Sequence, residues 1–197
     1  MLREIIRDEV DEVKGGRESE STSLAPPRGV EEIVAAFGDI YEFVRKDGSL
    51  DPRWQAESLT RIPLPFPMVL SWDHATSVDR MTCHKRLADV LEEVFTKIQT
   101  AGLQEKIKTF GGCFSFRQQR TGSKLSTHAW GIAVDLNSET NPQGAAGDMD
   151  AGVIEIFRAA GFEWGGDWAG KVRDPMHFQF CTGYIGWVCA CRPSGTQ

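Results

Sequence analysis

The chain has 197 residues, with 22 Lys plus Arg against 28 Asp plus Glu, a net charge of −6 and 41% apolar residues. That is enough for one ordinary globular domain with a short extension. An acidic balance without any Lys/Arg cluster excludes the basic footprint expected of a protein that binds duplex nucleic acid or inserts at an anionic membrane surface.

No stretch approaches the roughly eighteen apolar residues that span a bilayer. The opening MLREIIRDEVDEV is too charged for the apolar core of a signal peptide, so the expectation is a soluble protein made without its own export signal. Cys83, Cys113, Cys181, Cys189 and Cys191 form an odd set at irregular spacing, which argues against a secreted disulfide framework and for a reducing compartment.

Residues 1–28 read as an N-terminal extension, a charged start followed by a Gly/Ser/Pro-rich linker, and the domain is placed at 29–197. Val30, Ile33, Val34, Phe37, Ile40, Tyr41 and Val44 recur at helical spacing, with Gly38 able to split the run in two. Residues 45–60 are polar, and the prolines of LPFPMVLSW (64–72) favour an irregular or edge strand. From Ser77 onward a helix is expected, with Leu87, Val90, Leu91, Val94, Phe95 and Ile98 as its buried stripe and Gly102 at its end. IKTFGGCFSFRQQ (107–119) suggests a strand, a bend and a second strand. GIAVDLN (131–137) reads as a buried strand, Asp150 as the N-cap of a helix running to Gly161, and MHFQFC (176–181) as a strand with His177, Gln179 and Cys181 on one face.

Two segments carry the chemistry: Ser126-Thr-His128-Ala-Trp-Gly131-Ile-Ala-Val-Asp135 and Asp174-Pro-Met-His177. They hold two of the four histidines, each near a strand start with a carboxylate close by. Catalytic zinc takes three N or O ligands and keeps a fourth position open, and His128, Asp135 and His177 could supply such a set. Residues seven apart on a straight strand face opposite sides, so a turn at Gly131 is needed for His128 and Asp135 to converge. Asp174 lies near enough to serve as a base without being a ligand, with Pro175 shaping the turn between them.

These segments resemble the M15 peptidases, the family of D-Ala-D-Ala carboxypeptidases and phage endolysins, whose signatures are S-x-H-x-x-G-x-A-x-D and a later E/D-x-x-H. The flanks GGCFSFR (111–117) and GFEWGGDW (161–168), and a helix opening at Cys83-His84-Lys85, are similar to the endolysin-type branch. The resemblance implies a Zn2+ ion on His128, Asp135 and His177, Asp174 as general base, and Arg117 as the cation that steadies the substrate oxyanion, with Arg120 a competitor for that role. The Asp in place of Glu at 174 points to the endolysin subgroup. The expected partner is a peptidoglycan stem peptide, cut at an L-alanyl-D-glutamate or similar bond, by a monomer that accumulates in a bacterial cytoplasm and is released through a membrane lesion. A D-alanyl-D-alanine carboxypeptidase or dipeptidase, and a non-enzymatic zinc module of hedgehog type, are the alternatives.

Ser126 is expected to orient the ligand loop or touch substrate, and Trp130 and Trp168 to line a substrate groove, with core packing as the other reading for the tryptophans. His84 is read as a packing or capping residue. Cys181, Cys189 and Cys191 are read as free thiols rather than a second metal site. The fold expected is α+β, hedgehog/DD-peptidase-like, a small antiparallel sheet carrying the site on one face with helices behind it.

Overall fold

A computed structural model describes residues 24–120 and 124–185. Helix α1 (Gly29–Phe37) buries Ile33 and Phe37 and stops at Gly38, whose φ of 93° is open to glycine at little cost; a 3-10 turn at Ile40–Phe43 follows. The expected split at Gly38 is therefore present. Part of the linker is not free: Gly29 N donates to Thr182 O and Thr182 N to Pro27 O, so residues 27–29 lie against the strand that ends near Cys181.

The polar stretch 45–60 contains a helix that its composition hides. α2 (Pro52–Ser58) is capped by the Asp51 carboxylate, which accepts from Arg53 N at 2.9 Å, with Pro52 in the first turn, where its missing N–H costs nothing. Only Trp54 of its seven residues is buried. β1 (Leu59–Leu70) and β2 (Asp73–His84) form a long antiparallel hairpin whose register slips between Pro63 and Met68, where three prolines interrupt pairing. Here the helix expected from Ser77 is corrected: 77–84 is strand, with Met81 and Cys83 buried at period two, and α3 (Ala88–Thr100) begins only after a 3-10 turn at Lys85–Leu87. His84 closes the strand and caps the turn, its Nδ1 accepting from Arg86 N at 3.2 Å.

Leu91, Val94, Phe95 and Ile98 of α3 have no exposed surface, and each stabilises the fold by about 1.5–3 kcal/mol through apolar burial. β3 (Phe110–Gly112) is short, and the second strand expected after it is reduced to a single bridge, Gln118 to Leu125. β4 (Ala133–Leu136), α4 (Ala151–Ala159, capped by Asp150), β5 (Glu163–Trp164) and β6 (His177–Gln179) complete the described fold. The sheet order is β2-β1-β3-β4-β6-β5. The fold is α+β as expected, but the sheet is mixed rather than purely antiparallel, because β3 meets β1 in parallel at Leu70 and Phe110. That junction joins the hairpin to the β3-β4-β6-β5 half, where the site lies.

Candidate metal centre

The ligand loop is built by its caps. Ser126 Oγ accepts from His128 N at 3.4 Å and opens a 3-10 turn, Thr127–Trp130, which Gly131 closes at φ 68°. A Cβ at Gly131 would sit 2.9 Å from His84 N, whose N–H donates to Gly131 O at 2.9 Å, so only glycine fits this turn. The chain then enters β4, and Asp135 falls directly opposite His177 of β6 in the antiparallel register. Gly111 of β3 packs under Asp135, where a Cβ would come within 2.8 Å of the Asp135 Cβ. The predicted turn at Gly131 thus brings His128 and Asp135 to one point, and the neighbouring strand supplies the third group.

One potential ligand atom from each of His128, Asp135 and His177 lies within 4.8 Å of the other two, and all three residues are buried. His177 Nδ1 is 2.9 Å and His128 Nε2 3.1 Å from Asp135 Oδ1. His128 Nε2 nevertheless makes no hydrogen bond with usable geometry and is fully buried, as suits an atom aimed at a point between the three groups. The opposite ring nitrogens are both engaged. His128 Nδ1 donates to Cys113 O at 2.7 Å, and His177 Nε2 faces Gln179 Oε1 at 3.1 Å and Thr127 Oγ1 at 3.3 Å. With those protons fixed, both inward nitrogens present lone pairs toward a carboxylate, an arrangement that a cation between them resolves. Two imidazoles and one carboxylate are the donor set that catalytic zinc takes, so the residues fit the ion.

The three groups also act strongly on one another's charge. Burial acts to raise the Asp135 carboxyl, but His128 and His177 overcome it and hold the group well below the usual carboxylate range. Burial acts to lower His177, and Asp135 overcomes it, so His177 is raised.

Asp174 sits one turn before β6, its N–H donating to Gly165 O at 2.9 Å and its carbonyl accepting from His177 N at 3.0 Å. Gly165 is obligatory there, since a Cβ would lie 2.4 Å from Asp174 O. Asp174 Oδ1 is buried without a hydrogen-bond partner, and burial raises the carboxyl to about 6. An unpartnered, desolvated carboxyl beside a ligand set has the character of a general base or acid.

Two cavities flank the centre. One is lined by Asp174, His177, Ser126, Thr127, Trp168 and Gln143, the other by His128, Asp135, Gly111, Gly112, Ser115 and Trp72, and both are bordered by Arg117 and Arg120. Of the expected substrate residues, Ser126 caps the ligand turn and also lines the first cavity. Trp168 lines the cleft, its ring 5.5 Å from that of His177 and its Nε1 donating to Glu163 at 2.8 Å. Trp130 does not: it is wholly buried, donates to Gly38 O at 3.1 Å and packs against Tyr41 and Tyr184, so its groove role is corrected to core packing. Arg117 and Arg120 both border the cleft, and the charge of Arg120 acts to lower the Asp174 carboxyl against the effect of burial.

Residues 119–180, less than a third of the chain, match the family model described as D-alanyl-D-alanine carboxypeptidase, of the M15 peptidases. Over those residues the chain is similar to the M15 peptidases. The match covers all three candidate ligands and Asp174. No curated protein sequence matches the chain.

Sequence reasoning passed over three side chains that hold this site together. Thr127 Oγ1 donates to Gln179 Oε1 at 3.2 Å, and the Gln179 amide donates to Tyr184 O at 3.2 Å and Glu163 Oε2 at 3.4 Å, fixing which end of the amide faces His177. Gln179 was visible as the residue two after His177 on the same strand face. Thr127 and Glu163 had no such signal. Cys83, Cys113 and Cys181 are buried free thiols, and burial raises all three; Cys189 and Cys191 lie outside the described residues.

Proposed function

We propose that the chain is a zinc-dependent endopeptidase that hydrolyses an amide bond in the peptidoglycan stem, of endolysin type. The observation that carries this reading is the convergence of His128, Asp135 and His177 beside the unpartnered, desolvated Asp174 carboxyl, with one cavity against Asp174 and His177 and another against His128 and Asp135. A carboxypeptidase needs room on one side of the scissile bond; an endopeptidase needs it on both.

A zinc ion held by the three ligands would polarise the scissile carbonyl and lower the pKa of a water toward about 7. The chain's own residues do the rest. Asp174 Oδ1 is free to take the proton of the attacking water, and a carboxyl raised to about 6 can return it to the leaving amine near neutral pH. Arg117, anchored where Ser126 N donates to Arg117 O at 2.9 Å, borders both cavities and carries the charge that develops on the substrate oxygen. Cys113 O, Gln179 and Thr127 hold the imidazoles in their tautomers.

Digesting defined muropeptides and weighing the products tests the reading. New termini inside the stem, such as a free D-glutamyl amine, are expected. The matched family description favours a second reading, a D-alanyl-D-alanine carboxypeptidase or dipeptidase. Release of free D-Ala or of the D-Ala-D-Ala dipeptide as the sole product would replace the endopeptidase with it.

A further inference from the structure

We propose that Trp72 is a stacking platform for a pyranose ring of the glycan to which the peptide substrate is attached. The proposal rests on the peptidoglycan reading above and assigns one end of the cleft. Trp72 is 67% exposed, the most exposed large hydrophobic side chain among the described residues. A lone exposed tryptophan is unremarkable on a general surface. This one lines the same cavity as His128 and Asp135, together with Arg117 and Arg120.

The hairpin tip that carries Trp72 is braced on both sides. Ser71 N donates to Phe110 O at 3.1 Å, tying the residue before it to β3. Asp73 after it accepts from Ala75 N at 3.2 Å and Thr76 Oγ1 at 2.6 Å. His74 reaches Glu139 at 3.2 Å, and the other oxygen of that carboxylate accepts from Thr109 Oγ1. The chain on either side of Trp72 is thus tied down while the ring itself stays exposed. Below it, Gly111 and Gly112 give a floor without side chains, and a Cβ added at Gly112 would meet nothing within 4 Å.

The occupant follows from that shape and charge. An aliphatic side chain gains by enclosure, and a single open aromatic wall encloses nothing. A pyranose offers one flat C–H face to the indole and a rim of hydroxyl and amide groups to its polar neighbours, here Ser115, Arg117, Arg120 and the backbone of Gly111 and Gly112. The paired arginines add donors for the hydroxyl and amide oxygens around such a ring.

Two substrates separate the possibilities: a stem peptide still linked to its disaccharide, and the same peptide freed of sugar. Wild type should favour the glycan-linked form. Trp72→Ala should lower that preference in kcat/KM about tenfold, mainly through KM, and Trp72→Phe should recover most of it. In parallel, titrating tri-N-acetylchitotriose into metal-free protein should shift the indole N–H resonance that Trp72→Phe removes. An unchanged preference in Trp72→Ala, or no shift of that resonance, would overturn the proposal. If wild type cleaves neither substrate, the endopeptidase reading fails, and the metal-free titration still decides the sugar site.

Discussion

At the scale of single residues, the roles of Asp174 and Gln179 make opposite predictions. Asp174→Asn keeps shape and loses the base, so peptide hydrolysis should fall by about 10²–10⁴-fold while zinc content, measured on the purified protein, stays at the wild-type level. Retained turnover would remove Asp174 as the base, and retained zinc without any turnover in wild type would favour the non-enzymatic module. Gln179 touches no substrate in this account; it is a positioning residue whose Oε1 faces His177 Nε2. Gln179→Leu should weaken zinc binding by about 10–100-fold in a chelator competition, and the ring nitrogen shifts of His177 should report mixed tautomers. Affinity equal to wild type would show that Thr127 alone sets the ring.

At the scale of elements, the turn that delivers His128 depends on one glycine and one neutral histidine. Gly131→Ala would combine φ 68° with a contact at 2.9 Å against His84 N, so a loss of more than about 1 kcal/mol in a denaturant titration is expected, together with weaker metal binding. His84 itself is buried, donates from Nε2 to Phe37 O at 3.0 Å, and is lowered from 6.5 to about 4, chiefly by burial. Above pH 6.5 it is neutral in both states. As pH falls from about 6.5 to about 4 the unfolded chain takes up a proton that the folded one refuses, and stability on the order of 3 kcal/mol is lost, with no further loss from this group below that range. His84→Gln should flatten that part of the stability profile, and an unchanged slope would assign it elsewhere.

The elements also show what one sequence can and cannot convey. The α3 stripe, the Asp150 cap and strands β4 and β6 were legible because periodicity and caps there agree with the tertiary fold. β2 was read as the start of α3 because the helical stripe has no cap signal before Lys85 to mark where it begins, and the alternation of Met81 and Cys83 is too short to compete. α2 was missed because one buried tryptophan in seven residues sets no period, although Asp51-Pro52 was a readable start. The three ligands and Asp174 were legible as a spaced motif. Trp130 and Trp168 were not separable, since nothing local distinguishes a tryptophan in a buried 3-10 turn from one that follows a 3-10 turn at the cavity wall.

At the scale of the whole molecule, the site sits in the β3-β4-β6-β5 half of the mixed sheet, with Asp135 and His177 paired on β4 and β6. The family match begins only at residue 119, so the β1–β2 hairpin that carries Trp72 and the helix α3 lie outside the matched segment. Among the described residues no helix is long and apolar enough to cross a membrane. The chain is acidic overall, yet both arginines bordering the cleft are kept close to the ligand set, which favours a carboxylate-bearing peptide over a neutral one. Arg117→Ala should therefore lower kcat more than it raises KM, whereas Arg120→Ala should raise KM more; the reverse split would exchange their roles.

The account stands or falls on whether the His-Asp-His cluster drives peptide cleavage through a bound metal. Purified peptidoglycan can be incubated with protein stripped of metal and with the same protein restored with one equivalent of zinc, and new amino termini read by mass spectrometry. The account predicts termini only in the restored sample, and none when His177→Ala is restored in the same way. Cleavage that proceeds equally in the stripped protein would contradict it.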